Sequence, residues 1–102
     1  VPSTLTVTER RLQATVIEMC KVYGIAWYHT FDSRRSNRGW PDLALCGSRG
    51  FITRELKSGR GVTTPDQEDW GARLRQAGVN WGVWRPADLN SGRIERELLD
   101  IR

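Results

Sequence analysis

Lysine is nearly missing from this chain: of 16 basic residues only Lys21 and Lys57 are lysines, and the rest are arginine. Histidine occurs once, at His29, and cysteine twice, at Cys20 and Cys46. So few of either exclude a Cys/His zinc cluster and a disulfide framework; both cysteines sit in apolar runs and read as buried thiols in a reducing compartment. No apolar run approaches the roughly 20 residues of a membrane span, and no signal peptide is evident, so neither a membrane nor secretion is expected. A P-loop, a dinucleotide fingerprint, repeats and low-complexity tracts are all missing, which argues against a nucleotide cofactor. No Ser/His/Asp or Cys/His arrangement points to a covalent nucleophile.

What is present suits one small domain spanning residues 1–102, with 38% hydrophobic residues and five Trp to build a core. A net charge of +4 and a pI near 9.7 favour an anionic partner, most simply nucleic acid. Arginine suits bidentate phosphate contacts, although its excess over lysine also tracks GC-rich coding.

The most informative stretch runs from Gly39 to Lys57. Two apolar, strand-like runs flank Gly47-Ser48-Arg49-Gly50, a hairpin pattern. A two-residue or a four-residue loop gives one register, in which Asp42 lies opposite Glu55 with Cβ atoms about 4.5–5.5 Å apart. A three-residue loop would shift that register by one. Strand alternation puts Glu55 and Lys57 on one face and turns Leu56 into the core. Two carboxylates this close repel unless a proton or a cation lies between them. A divalent cation satisfies them, with Lys57 balancing charge on a reacting anion; ordinary solvated charges on a surface hairpin are the alternative.

In chain order, Thr6 and Glu9 form a capping box for a helix from about Thr8 to Tyr23, stopped by Gly24. Its stripe is Leu12, Val16, Met19, Cys20 and Tyr23; Glu9 falls within it and Glu18 opposite. Glu9 is therefore the acid aimed inward, or merely a cap. Ile25 to Thr30 reads as a strand; its lone His29 suits a structural hydrogen bond or a substrate contact better than a metal ligand. Phe31 to Arg38 is a polar loop whose Arg34, Arg35 and Arg38 either grip phosphate or are simply solvated. Arg60, in the loop after the hairpin, joins that candidate DNA-binding set. Thr64, Pro65 and Gln67 open a second helix that runs to about Ala77 before Gly78. Its Gln67, Trp70, Leu74 and Ala77 face should pack on the sheet, and Gln67, like Glu9, serves a cap or a site. Val79 to Trp84 is a fourth strand, parallel to the Glu55 strand after a helical crossover. Pro86 to Gly92 is a loop or short helical turn, and Ile94, Leu98 and Ile101 have helical spacing.

Pro41-Asp42 followed by Glu55-Leu56-Lys57 resembles the PD-(D/E)xK nuclease superfamily. Gly39-Trp40-Pro41-Asp42-Leu43, then Glu-Leu-Lys and Gln67, resembles more closely the VRR-NUC family and its small stand-alone phage and bacterial members. The resemblance covers about Glu9 to Pro86. It implies an α/β fold with a PD-(D/E)xK core, α-β-β-β-α-β, in which a mixed four-stranded sheet is flanked by helices. It further implies catalytic Asp42, Glu55, Lys57 and Gln67, with Mg²⁺ or Mn²⁺ held by Asp42, Glu55, Glu9 and the Leu56 carbonyl. In related nucleases the Gln sits beside the catalytic Lys.

The implied activity is that of a metal-dependent, structure-selective endodeoxyribonuclease acting on branched DNA in the manner of Holliday junction resolvases. Such enzymes usually work as homodimers, in the cytoplasm of a bacterial host or phage-infected cell; five Trp leave apolar material for an interface. The alternatives are a restriction- or repair-type nuclease acting on flaps or duplex, and a non-catalytic DNA-binding or adaptor module. The second is disfavoured because Asp42, Glu55, Lys57 and Gln67 are all present. A two-carboxylate glycosidase does not suit a lysine on the same face and a basic surface.

Overall fold

The structure is a computed structural model that describes residues 5–31 and 37–102. Thr6 caps helix α1 (Val7–Tyr23) through a complete capping box with Glu9, and Gly24 closes it in the left-handed conformation. Strands β1 (Ala26–His29), β2 (Leu43–Gly47) and β3 (Gly50–Leu56) follow, then helix α2 (Pro65–Gln76) and strand β4 (Asn80–Trp84). The segment after β4 forms two helices, the short α3 (Pro86–Asn90) and the amphipathic α4 (Arg93–Ile101).

The sheet has the order β1-β2-β3-β4. β1, β2 and β3 are antiparallel neighbours, and β4 runs parallel to β3. A two-residue turn, Ser48-Arg49, joins β2 to β3, with Gly47 opposite Gly50 and Leu43 opposite Arg54. Continuing that register by one pair sets Asp42 against Glu55, as the hairpin pattern predicts. The α/β architecture expected from the resemblance is the observed one, with α3 and α4 added after the core elements.

One sheet face carries Leu43, Leu45, Ile52, Leu56 and Trp84. α1 covers it with Leu12, Val16 and Cys20, and α4 with Ile94, Leu98 and Ile101. Burying these side chains is the main source of stability, at about 1.5–3 kcal/mol for each large aliphatic residue. The other face bears Asp42 and Glu55. There α2 covers only the β4 side, at a point where a Cβ on Gly71 would stand 2.7 Å from the Trp81 ring. Only a glycine lets helix and indole approach so closely.

Three expectations need correction. Cys20 is buried but Cys46 is exposed, because strand alternation turns Cys46 to the face that α2 leaves open. In α2 the only buried residue is Gly71; Trp70 and Leu74 are half-buried and Ala77 is exposed, so the helix leans on the sheet through its smallest residue. The Trp residues are also better housed than their number suggests. Trp81 and Trp84 are buried, Trp40 and Trp70 pack edge to face with centroids 4.9 Å apart, and Trp27 is the exposed one among them.

Candidate active site

Asp42 enters β2 from a segment tied to the end of β1: Thr30 N donates to the Asp42 carbonyl at 2.9 Å and Thr30 Oγ1 to the Pro41 carbonyl at 2.9 Å. Upstream, Gly39 has a φ of +86°, and a Cβ there would lie 2.3 Å from the Asp66 backbone. That close approach lays the Gly39–Asp42 segment against the start of α2. Helix α2 starts at the same point because Thr64 and Gln67 form a capping box. Gln67 Oε1 accepts from Thr64 N at 2.8 Å, which leaves Nε2 to donate to Glu55 Oε1 at 3.0 Å. Gln67 thus caps its own helix and at the same time bonds Glu55, not Lys57.

Asp42 and Glu55 are 7% and 2% exposed. Asp42 Oδ2 accepts from Leu56 N at 2.7 Å. Glu55 Oε2 is buried with no donor facing it among the described residues. Its neighbour is the Asp42 carboxyl, and two acceptors bond to each other only through a proton. Burial first, and then Asp42, push the Glu55 carboxyl up to about 10, while the Lys57 charge acts in the opposite direction. Burial likewise raises Asp42, against the hydrogen bonds from Glu55 and Leu56 N and the charge of Lys57. Two acids this close and this buried cannot both ionise unless a proton or a cation lies between them.

The pair opens on a cavity of about 420 Å³, also lined by Glu9, Arg38, Lys57 and Gln67. Leu56 lines it too; its side chain is 1% exposed in the core, so only its backbone can serve the cavity. Glu9 does two jobs: Oε1 accepts from Thr6 N at 3.2 Å, and Oε2 accepts from Ser58 N at 2.9 Å. Among the described residues no three His, Cys, Asp or Glu side chains cluster closely enough to hold a metal ion together. Asp42 and Glu55 are the close pair, and Glu9 stands off, bonded to backbone.

Of the arginines, Arg38 reaches the cavity, Arg60 is exposed in the loop beyond it, and Arg34 and Arg35 lie outside the described residues. His29 pairs with Leu43, on the opposite sheet face from Asp42, and stacks loosely on Phe31 with centroids 6.2 Å apart.

No protein-family model matches the chain, and no curated protein matches it in sequence. Its three-dimensional fold does match solved structures. A VRR_NUC domain protein superposes with a TM-score of 0.69 over 95% of this chain and 92% of its own, at 20% identity. This chain has the VRR_NUC fold. Hjc, a Holliday junction resolvase from the archaeal hyperthermophile Archaeoglobus fulgidus, superposes with a TM-score of 0.52 over 79% of this chain and 68% of its own, at 20% identity. Both neighbours share the fold that the sequence resemblance implies. Within the VRR_NUC fold the sequence pattern missed two contributors, Arg54 and Arg85. Arg54 is 3% exposed in β3, and Arg85 follows β4 and bonds back to the loop after β3. Neither carries a local signal: each is one arginine among 14, and its partners are far along the chain.

Proposed function

We propose that residues 1–102 form one VRR-NUC-like nuclease domain, a metal-dependent, structure-selective endonuclease that hydrolyses phosphodiester bonds in branched DNA. The observation that carries this reading is the buried Asp42–Glu55 pair with Glu55 Oε2 left without a donor. That oxygen, an adjacent carboxylate and oxygen-only donors fit a hard divalent ion such as Mg²⁺ or Mn²⁺. Asp42 and Glu55 would hold it, with the Leu56 carbonyl beside them and Glu9 adding negative charge behind its two backbone bonds. Such an ion supplies neutralisation of the scissile phosphate and acidification of water at neutral pH.

The chain's own residues do the rest. Gln67 fixes Glu55 Oε1, so the other oxygen stays turned to Asp42, where an ion shared by the two carboxylates would sit. Lys57 stands on the same strand face and places a positive charge where negative charge develops on the phosphate, or orients the attacking water. Arg38, with Arg34, Arg35 and Arg60, grips flanking phosphates. The branched substrate rests on the likeness to Hjc, named as a Holliday junction resolvase. Symmetric cutting of a four-way junction needs two sites, so the working form is a homodimer.

The test is cleavage of end-labelled four-way junction, flap, duplex and single-stranded DNA with Mg²⁺ and with Mn²⁺. Paired, symmetric incision of the junction, abolished by EDTA and by Asp42→Asn, is the expected result. Preferred cutting of flaps or plain duplex would make it a repair- or restriction-type nuclease. Binding without cleavage of any substrate would make it an adaptor.

A further inference from the structure

Lys57 poses a mechanical problem. It is the first residue beyond β3, and lysine is the most flexible of the cationic side chains. Among the described residues its Nζ makes no hydrogen bond or ion pair, so none of them holds its tip toward the Asp42–Glu55 pair. Its aim has to come from its backbone and its aliphatic stem.

The backbone there is held from three directions. Lys57 N donates to the Trp84 carbonyl at 3.0 Å. Ser58 N donates to Glu9 Oε2 at 2.9 Å. Arg85 Nη1 donates to the Ser58 carbonyl at 2.7 Å and to the Gly61 carbonyl at 2.6 Å. The turn so gripped closes on itself through Gly61 N and the Ser58 carbonyl, 3.2 Å apart. It also lies on the lysine: a Cβ on Gly61 would stand 3.5 Å from Lys57 Cδ. Arg85 is itself anchored, since its N–H donates to Asp88 Oδ2 at 2.8 Å as α3 begins.

We propose that Arg85 is a positioning residue which, with Glu9, locks the Lys57–Gly61 turn and thereby aims Lys57 at the Asp42–Glu55 pair. This rests on the nuclease reading above. An arginine in a basic DNA-cutting protein would ordinarily be assigned to a phosphate. Two observations assign Arg85 elsewhere: its Nη1 is engaged by two backbone carbonyls, and it lines the cavity on the β4 side of the molecule, not the one into which Asp42 and Glu55 open. A planar guanidinium can present one nitrogen to two carbonyls in fixed geometry, which a lysine ammonium on a flexible stem does less well. Glu9, on this view, acts through Ser58 N as much as through its charge.

The experiment compares Arg85→Met, Arg85→Lys, Lys57→Ala and the double variant Arg85→Met/Lys57→Ala. It reads three quantities: single-turnover junction cleavage at saturating DNA with Mn²⁺, junction affinity across a salt series, and amide hydrogen exchange. Arg85→Met is expected to slow cleavage by up to ~100-fold, the scale of misplacing a reacting group by about 1 Å, with affinity and salt slope unchanged. Exchange should accelerate about tenfold or more at the Ser58 and Gly61 amides and stay slow in β2. Arg85→Lys should recover part of the rate. In the Lys57→Ala background Arg85→Met should cause no further loss, because the two residues act as one unit. Additive losses, or a weakened affinity with a shallower salt slope, would overturn the proposal in favour of a direct phosphate contact. If the wild-type protein cuts nothing, the nuclease reading fails by itself. The lock is then judged by exchange alone, and unchanged protection at Ser58 and Gly61 overturns it too.

Discussion

Glu55 is held where a carboxylate is hardest to charge. Burial, and then Asp42, raise its pKa from the ordinary 4.5 to about 10. In the metal-free protein the folded state therefore keeps a proton that the unfolded chain gives up at ordinary carboxylate pH. Stability linked to that proton is fully present below the unfolded pKa and is lost as pH rises toward the folded one. Metal-free melting temperature should fall between about pH 5 and pH 10, and Mn²⁺ should flatten the fall. Glu55→Gln keeps the shape and removes the charge. It is expected to raise the metal-free melting temperature at alkaline pH and abolish most of the pH slope, while weakening Mn²⁺ binding in titration calorimetry. A Gln variant less stable than wild type at alkaline pH would contradict the raised pKa. At Lys57 the expectation is different. Lys57→Ala should leave the fold and most junction affinity intact, raise metal affinity by removing a repelling charge, and lower single-turnover cleavage ~100-fold. Near-wild-type cleavage would take Lys57 out of the mechanism.

Among elements, α4 depends on one carboxylate. Glu97 accepts from Arg54 Nη2 at 2.9 Å, Trp84 Nε1 at 2.8 Å and Arg93 Nε at 2.8 Å. Burial opposes its ionisation, but the hydrogen bonds from Arg93, Trp84 and Arg54 outweigh that and hold its carboxyl below the usual range. Its contribution is thus present above ordinary carboxylate pH and lost on acidification. Arg54 also bonds the Thr53 and Asn80 carbonyls and lies 5.2 Å from the Trp84 ring centroid. Without Glu97 this arginine stays buried with its charge uncompensated. Glu97→Ala should cost about 3 kcal/mol, read as a lower urea midpoint, with Glu97→Gln intermediate. A loss no larger than that of an exposed pair such as Arg73–Asp69, in the range of about 0–1 kcal/mol, would show that α4 is held by its apolar face alone.

At the scale of the molecule, the open part of the Asp42–Glu55 sheet face carries no charged side chain among the described residues. Register places Ala26, Tyr28, Ala44, Cys46 and Phe51 together there. Tyr28 and Phe51 remain 63% and 47% exposed. For a protein of net charge +4, this is a surface on which a second copy can approach without repulsion. Phe51, its exposed β3 residue, lies about 13 Å along the strand from Glu55, four residues at strand rise, which leaves the cavity accessible. A homodimer packed through this face should sediment as a dimer at micromolar concentration, and Phe51→Glu or Tyr28→Glu should give a folded monomer whose melting temperature no longer rises with protein concentration. Wild-type protein sedimenting as monomer, free and on a junction, would remove the second copy and favour a flap- or end-directed enzyme. Among the described residues no helix is long and apolar enough to cross a membrane.

The sequence by itself determined what depends on near neighbours. The Thr6/Glu9 and Thr64/Gln67 capping boxes, the helix stop at Gly24, the hairpin about Ser48-Arg49 and, for an even loop, the Asp42–Glu55 register are all set by spacings of a few residues. There backbone geometry leaves few options. The tertiary structure alone decided which groups meet across the fold. Strand alternation could say that Cys46 and Leu45 face opposite ways, but α2 resting on β4 through Gly71 is what left Cys46 in water. An arginine in a strand reads as an outward charge until Glu97, 43 residues away, arrives beside it. Glu9 capping its own helix was legible; its grip on Ser58 N, 49 residues on, was not. Periodicity fixes a side chain's direction relative to its own element, whereas its partner depends on where a distant element packs, and that is settled only when the whole core closes.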